Sequence, residues 1–197
     1  MTPAHDAVIL AAGGSRRLGR PKQLLRRDGE TLIARVARLV LATAPARTIV
    51  VTGAHREEVA AATSGLDIEI VTNDAWTEGM ASSLRAAARS LAGRDRPVLV
   101  TVVDQPALDD SHLRALLDAH RDDRDTVSAY GDAQGVPAVL RASTFARAAT
   151  LRADTGFRRL WTDADPRTVR ADTLAHDLDD LDDLRVAVAA GWVDTSG

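Results

Sequence analysis

Val8-Ile-Leu-Ala-Ala-Gly-Gly-Ser-Arg-Arg-Leu-Gly-Arg-Pro-Lys22 opens the chain's first ordered segment, and its reading decides the fold. Five apolar residues, Val8 to Ala12, form a run too short for a helix. It stops at Gly13-Gly14-Ser15, so it reads as a buried strand entering a loop. Glycines let backbone N–H groups approach an anion closely, and the loop adds the Ser15 hydroxyl and the charges of Arg16 and Lys22. Neither common phosphate-binding pattern fits. Lys22 is followed by Gln23 rather than Ser or Thr, and Gly13, Gly14 and Gly19 have the wrong spacing for a dinucleotide fingerprint.

Outward from this segment, strand and helix patterns alternate. Leu32, Ile33, Val36, Leu39 and Val40 have helical spacing within 31–42, and Pro45 ends the run. Strands are expected at 48–52, 67–72 and 97–103, with helices near 57–62 and at 80–91. A helix follows at 111–120, with Ser111 or Asp110 as its N-cap. Two strands at 125–130 and 136–140 flank Gly131 and Gly135. Short helices near 143–150 and 155–161, a strand near 167–170 and a last helix at 181–190 complete the pattern. Such alternation predicts an α/β protein with a largely parallel, doubly wound sheet, read as a single domain over 1–197. Ligands of such sheets sit at the carboxyl ends of the strands. Asp104, directly after an apolar strand, falls at that edge.

Composition narrows the function. The 197 residues are 45% hydrophobic, which predicts a globular core. The absence of cysteine excludes disulfides, thiolate metal sites and a cysteine nucleophile, and fits a reducing cytoplasm. A net charge of -3 makes a poor nucleic-acid binder. No leader and no long apolar run is seen, so neither secretion nor membrane insertion is expected. Of the 25 basic residues the only lysine is Lys22. Its compact, mobile ammonium suits phosphate chemistry in a way that arginine's rigid fork does not reproduce. The five histidines are scattered without metal-ligand spacing and are expected at the surface or in caps, while Trp161 and Trp192 are expected in packing roles.

The first loop resembles the signature L-A-A-G-x-S-x-R-x-G-x-P-K-x-L-L of the nucleotidyltransferases grouped with the molybdenum cofactor guanylyl- and cytidylyltransferases. It matches at Leu10, Ala11, Ala12, Gly13, Ser15, Arg17, Gly19, Pro21, Lys22, Leu24 and Leu25. A second segment, Asn73-Asp-Ala-Trp76-Thr-Glu-Gly79-Met-Ala-Ser82-Ser83-Leu84, is similar to the family's N-x-x-W-x-x-G-x-x-x-S-[ILV]. Asp104-Gln105-Pro106 resembles its D-x-P. Gly135-Val136-Pro137 followed by Asp154, Gly156 and Arg158 is similar to G-H-P and G-D-x-G-x-R, with Val136 and Ala153 as departures. Asp177-Leu-Asp179 resembles the family's acidic run before the last helix.

The resemblance implies a three-layer α/β/α, mostly parallel, Rossmann-like sheet of the nucleotidyltransferase type. It implies that Leu10, Ala11, Ala12, Gly13, Gly14, Ser15, Arg16, Lys22, Asn73, Gly79, Ser82 and Ser83 bind a nucleoside triphosphate. Lys22, Arg17 and Asp104 would be catalytic. Asp104 and Asp177, or Asp179 in its place, would hold Mg²⁺. Gly135, Pro137, Asp154, Gly156 and Arg158 would bind a phosphorylated acceptor. Cytidylyl members resemble Leu-Ala-Ala-Gly at the first turn and guanylyl members Leu-Ala-Gly-Gly, so Ala12 favours CTP. The acceptor implied by closest analogy is molybdopterin carrying molybdenum, and a molybdoenzyme is admitted as partner. Two alternatives stay open: a small oxidoreductase of the same fold, and a non-catalytic maturation factor carrying a cofactor to its enzyme.

Overall fold

The computed structural model describes residues 4–151 and 165–195. Nine strands run β1 (Asp6–Ala11), β2 (Arg26–Arg27), β3 (Glu30–Thr31), β4 (Thr48–Thr52), β5 (Glu69–Thr72), β6 (Val98–Val102), β7 (Thr126–Tyr130), β8 (Ala133–Leu140) and β9 (Arg167–Arg170) among the described residues. The helices are α1 (Leu32–Leu41), α2 (Arg56–Ala62), α3 (Met80–Ser90), α4 (Asp110–Ala119), α5 (Ala142–Ala146) and α6 (Leu181–Ala189). Seven strands form one sheet in the order β5-β4-β1-β6-β8-β7-β9. β8 pairs antiparallel with both of its neighbours; every other pairing in this sheet is parallel.

β1 is buried along its whole length, so its alternating side chains serve two cores. Ala7, Ile9 and Ala11 face a cluster built with Leu32, Ile33 and Val36 of α1, Val59 of α2, Leu113, Leu116 and Leu117 of α4 and Ala187 of α6. Val8, Leu10 and Ala12 face the opposite cluster, built with Leu84, Ala87 and Ala88 of α3 and Phe145 of α5. Helices therefore cover both faces, giving the expected three layers. Because β1 lies between β4 and β6, crossovers leave it toward both sides of the sheet. A crevice opens at its carboxyl end where they part. The parallel register of Leu10 opposite Val102 brings the loop after β1 beside the exit of β6.

Several expectations are corrected. Asp109, rather than Asp110 or Ser111, caps α4: its side chain accepts from the His112 N–H at 2.9 Å. The third long strand starts at Glu69, not Asp67, and lies at the sheet edge, where Ile70 is 36% exposed. β8 starts at Ala133 and includes Gly135. The hairpin β2–β3 was not anticipated, although Asp28-Gly29 is a strong turn signal; both residues have positive φ, 55° and 78°. His5 is neither at the surface nor in a cap: it is buried against Thr43 at 3.0 Å. His120 is at the C-cap of α4 and is buried there, and the half-buried His112 reaches Ser128 at 2.7 Å. The helix expected near 155–161, with Trp161, lies outside the described residues. Trp192 packs at the edge of the α1–α4–α6 core and against His176.

The core assignment predicts that Leu116→Ala will destabilise the protein by about 2–5 kcal/mol in chemical denaturation, as expected for truncating a fully buried leucine. Val186→Ala, at a half-exposed helix position, should change stability by under about 0.5 kcal/mol. Equal denaturation midpoints for Leu116→Ala and wild type would show that α4 does not pack as described.

Candidate active site

The loop leaving β1 has its carbonyl groups tied down. The buried Gln23 amide donates to Ala11 O at 2.8 Å and to Gly13 O at 2.7 Å. Between them, Ala12 O accepts the Ala54 N–H at 3.2 Å. Ser15 takes a left-handed φ of 49°, and its Oγ accepts the Lys22 N–H at 3.1 Å, closing the loop on itself. Among the described residues no protein acceptor meets the N–H groups of Gly13, Gly14, Ser15 or Arg16. Successive N–H groups left free in a glycine-rich turn make an anion-binding concavity.

Trp76 wedges the far wall. A Cβ on Gly14 would approach its ring to 2.9 Å, and one on Gly53 would meet Ala12 O at 2.6 Å and Trp76 Cβ at 2.7 Å. Both positions therefore need glycine for space. The Arg16 guanidinium lies 5.6 Å from the Trp76 ring centroid, a cation–π distance. Gly79, at φ 92°, caps α3. Asn73 is buried, donates to Ser82 Oγ at 2.7 Å and Ser83 Oγ at 3.0 Å, and accepts the Ala75 N–H at 3.1 Å. Its amide thus organises the start of α3, with both donors engaged there. A cavity of about 210 Å³ lies between these walls. Its lining includes Leu10, Ala11, Ala12, Gly13, Lys22, Gly79, Ser83 and Asp104 from the anticipated set. Gln23, Trp76 and Met80 join them. Asn73 and Ser82 stand behind Ser83 rather than on the wall.

Lys22 is held where three segments meet. Its Nζ donates to Asp104 Oδ2 at 3.0 Å, Leu178 O at 2.8 Å and Asp179 Oδ1 at 3.3 Å. Arg17 reaches the other Asp179 oxygen at 2.9 Å. Leu178 N–H in turn donates to Asp104 O at 2.8 Å, stitching the C-terminal segment to the exit of β6. Burial opposes the Lys22 charge, but Asp104 and Asp179 outweigh it and hold its pKa above the usual value. Asp177 behaves oppositely. Its surface is exposed, yet desolvation by neighbouring protein first and the Asp104 carboxylate second push its pKa up to about 6, despite a hydrogen bond with Gln105.

No three carboxylate or imidazole groups among the described residues form a ready-made cation cage. The donor set still fits a hard divalent cation, which takes one or two carboxylates and completes its shell with waters and phosphate oxygens. Asp104 and Asp177 are near enough for mutual repulsion to raise the Asp177 pKa, as two carboxylates facing one cation site would be.

The anticipated acceptor residues divide. Gly135 and Pro137 lie on β8, outside the cavity lining, and Gln105 Nε2 links them to the site by donating to Val136 O at 3.1 Å. Asp154, Gly156 and Arg158 lie outside the described residues. Gln23 and Gly53 were overlooked in the sequence. Gln23 occupies a variable position of the signature; Gly53 carried a signal, as a glycine ending a strand at the ligand edge.

A model of the MobA-like NTP transferase domain matches residues 7–169. Nicotine blue oxidoreductase from Paenarthrobacter nicotinovorans is 37% identical over 140 residues, 71% of this chain and 68% of that protein. Bifunctional protein GlmU of Streptococcus equi subsp. zooepidemicus is 33% identical over 116 residues, 58% of this chain but 25% of its own length. Rv0371c from Mycobacterium tuberculosis H37Rv superposes with a TM-score of 0.82 at 26% identity, covering 96% of this chain and 100% of that one. It has also been solved in complex with manganese. Mth528, a nucleotidyl transferase from Methanothermobacter, superposes with a TM-score of 0.81 at 25% identity over 95% and 97% of the two chains.

The raised pKa of Asp177 has a stability consequence. Between the ordinary carboxylate pKa and about 6 the folded chain binds a proton that the unfolded chain has lost. Its contribution is therefore fully present below that window and disappears as pH rises through it. Asp177→Asn, measured without metal, should melt above wild type at pH 8, by no more than about 2–4 °C because solvent partly screens the exposed carboxylate, and together with it at pH 3.5. A pH-independent offset would show that the Asp177 proton is not involved.

Proposed function

Since the chain belongs to the MobA-like NTP transferase family, a nucleotidyltransferase family, we propose that it moves CMP from CTP, with Mg²⁺, onto a phosphorylated small-molecule acceptor in the cytoplasm. The chemistry closest to the acceptor is molybdopterin carrying molybdenum, with a molybdoenzyme as eventual recipient. The observation that carries this reading is that Gly13, with its free N–H, Lys22 and Asp104 line one cavity, with the free N–H groups of Gly14, Ser15 and Arg16 following directly in the chain.

In the reaction an acceptor phosphate oxygen attacks the nucleotide α-phosphorus. The new P–O bond forms as the bond to the bridging oxygen breaks, and pyrophosphate leaves. The acceptor brings an ionised nucleophile, so no general base is required. The work left to the protein is positioning and charge neutralisation. The N–H groups of Gly13 to Arg16 and the Ser15 hydroxyl hold the β- and γ-phosphates. Lys22 exchanges its bonds with Asp104 and Asp179 for α-phosphate oxygens, and Arg17, a short step away, follows the leaving charge. Asp104 and Asp177 would hold Mg²⁺, which when bound neutralises charge on the phosphates. Gly79 and Ser83 border the base and ribose, with Asn73 fixing both Ser82 and Ser83. Gly135 and Pro137, with Asp154, Gly156 and Arg158, face the acceptor. The Ala12 Cβ fills space that glycine would leave beside the base, which supports CTP over GTP.

A second reading follows from the name of one relative. A protein 37% identical is called an oxidoreductase, so a redox activity on the same fold is tested alongside. The glycine spacing at Gly13, Gly14 and Gly19 is against a dinucleotide. Oxidation of NADH or NADPH by the purified protein would favour it.

Lys22→Ala should lower pyrophosphate release by about 10²–10³, the scale for losing one electrostatic stabiliser of a transition state, while the chain still folds, melting below wild type because Asp104 and Asp179 lose their partner. Wild-type turnover in that variant would remove Lys22 from the chemistry. Asp104→Asn keeps size and loses charge. In calorimetric titrations it should still bind CTP without metal, but Mg²⁺ should no longer tighten binding. Unchanged tightening would move the metal to other residues.

A further inference from the structure

Gln23 is 1% exposed, yet it borders the cavity. Both of its amide hydrogens are spent on the loop carbonyls of Ala11 and Gly13, at 2.8 and 2.7 Å. Its own Oε1 is shielded from solvent and has no hydrogen-bond partner. A buried amide with an unmet acceptor is a poor packing residue, since methionine or leucine would fill the same volume without it. What those residues would lack is the pair of donors.

The donors matter because of peptide geometry. In a trans peptide the C=O and the following N–H lie in one plane and point in opposite directions. Fixing Ala11 O on Gln23 therefore directs the Ala12 N–H away from Gln23, and fixing Gly13 O does the same for the Gly14 N–H. Ala54 N–H, by holding Ala12 O, completes the series at the Gly13 N–H. Without such anchors a glycine-rich turn is free to rotate its peptide units and offer carbonyls, which repel phosphate.

We infer that Gln23 is a positioning residue of the phosphate loop, setting the direction of its Ala12 and Gly14 N–H groups through the carbonyls it holds and so selecting for the β- and γ-phosphates of the nucleotide. The inference rests on the nucleotidyltransferase reading of the cavity. It assigns no contact between Gln23 and substrate; the effect passes through the backbone. Loss of the amide should therefore weaken the hold on the terminal phosphates while leaving recognition of base, ribose and α-phosphate in place.

The test compares CMP and CTP, each with Mg²⁺, by calorimetric titration of wild type, Gln23→Met and Gln23→Glu, beside thermal melts. Both variants should keep CMP affinity within about twofold, while the ratio of CTP to CMP affinity falls about tenfold or more, the scale of one or two lost hydrogen bonds. An unchanged ratio in a folded variant overturns the inference. So does an equal fall for both nucleotides, which would make Gln23 a packing residue. Should neither variant fold, hydrogen exchange on wild type decides. Inorganic tripolyphosphate should slow exchange at Gly13, Gly14 and Ser15, and unaltered exchange overturns the inference. If wild type itself binds CTP no better than CMP, the nucleotidyltransferase reading fails instead.

Discussion

The parallel pairing of β1 with β6, Leu10 beside Val102, is the constraint on which the site depends. Two strands far apart in sequence end at one level, so what each carries past its end is delivered to the same place. β1 delivers the glycine loop and Lys22; β6 delivers Asp104. Pairing of this kind tolerates no slip of one residue, because β1 is buried on both faces and its odd and even side chains belong to different cores. The Leu178–Asp104 backbone bond then brings the C-terminal acidic run to the same edge. Positions 22, 104 and 179 are thus brought together at the ends of two strands buried in the middle of the sheet.

The features legible in the sequence were those with a repeated physical signature. Short, mainly apolar runs revealed β1, β4 and β6, helical spacing revealed α1, and glycine next to an apolar run marked the loop. Features settled by one tertiary contact were not legible. The α4 cap moved to Asp109 because several adjacent acids and a serine satisfy the same local rule. Ile70 is apolar and alternating, yet its strand has a neighbour on one side only, so the pattern overstated its burial. His5 is buried where Thr43 meets it from a distant part of the chain, which no local window contains; His120 meets Thr126 only a few residues on, across the turn into β7.

The site divides in the same way. Lys22, Ser15, Gly13 and Asp104 could be named because a recurring motif carries them. Gln23 could not, since its function lies in which carbonyls it meets. The same holds for Asn73, whose sequence context suggested a ligand contact and whose amide is instead committed to Ser82 and Ser83. Residues that support a site are selected by geometry, and geometry between distant segments leaves little trace in a single chain.

Lys22, resting against Asp104, Asp179 and Leu178 O, also affects how a substrate first arrives. A bare group of carboxylates at the mouth of the crevice would repel a tetraanion from a distance, and much of its approach would be uphill. With the ammonium as an internal counterion, and Arg17 beside it, the incoming polyanion meets a neutralised doorway. In the proposed reaction, charge would be uncovered only after arrival, as the lysine turns to the phosphates and leaves the acids for a cation. The resident ammonium and the arriving cation would then act in succession, so the carboxylates would at no stage be left without a positive partner.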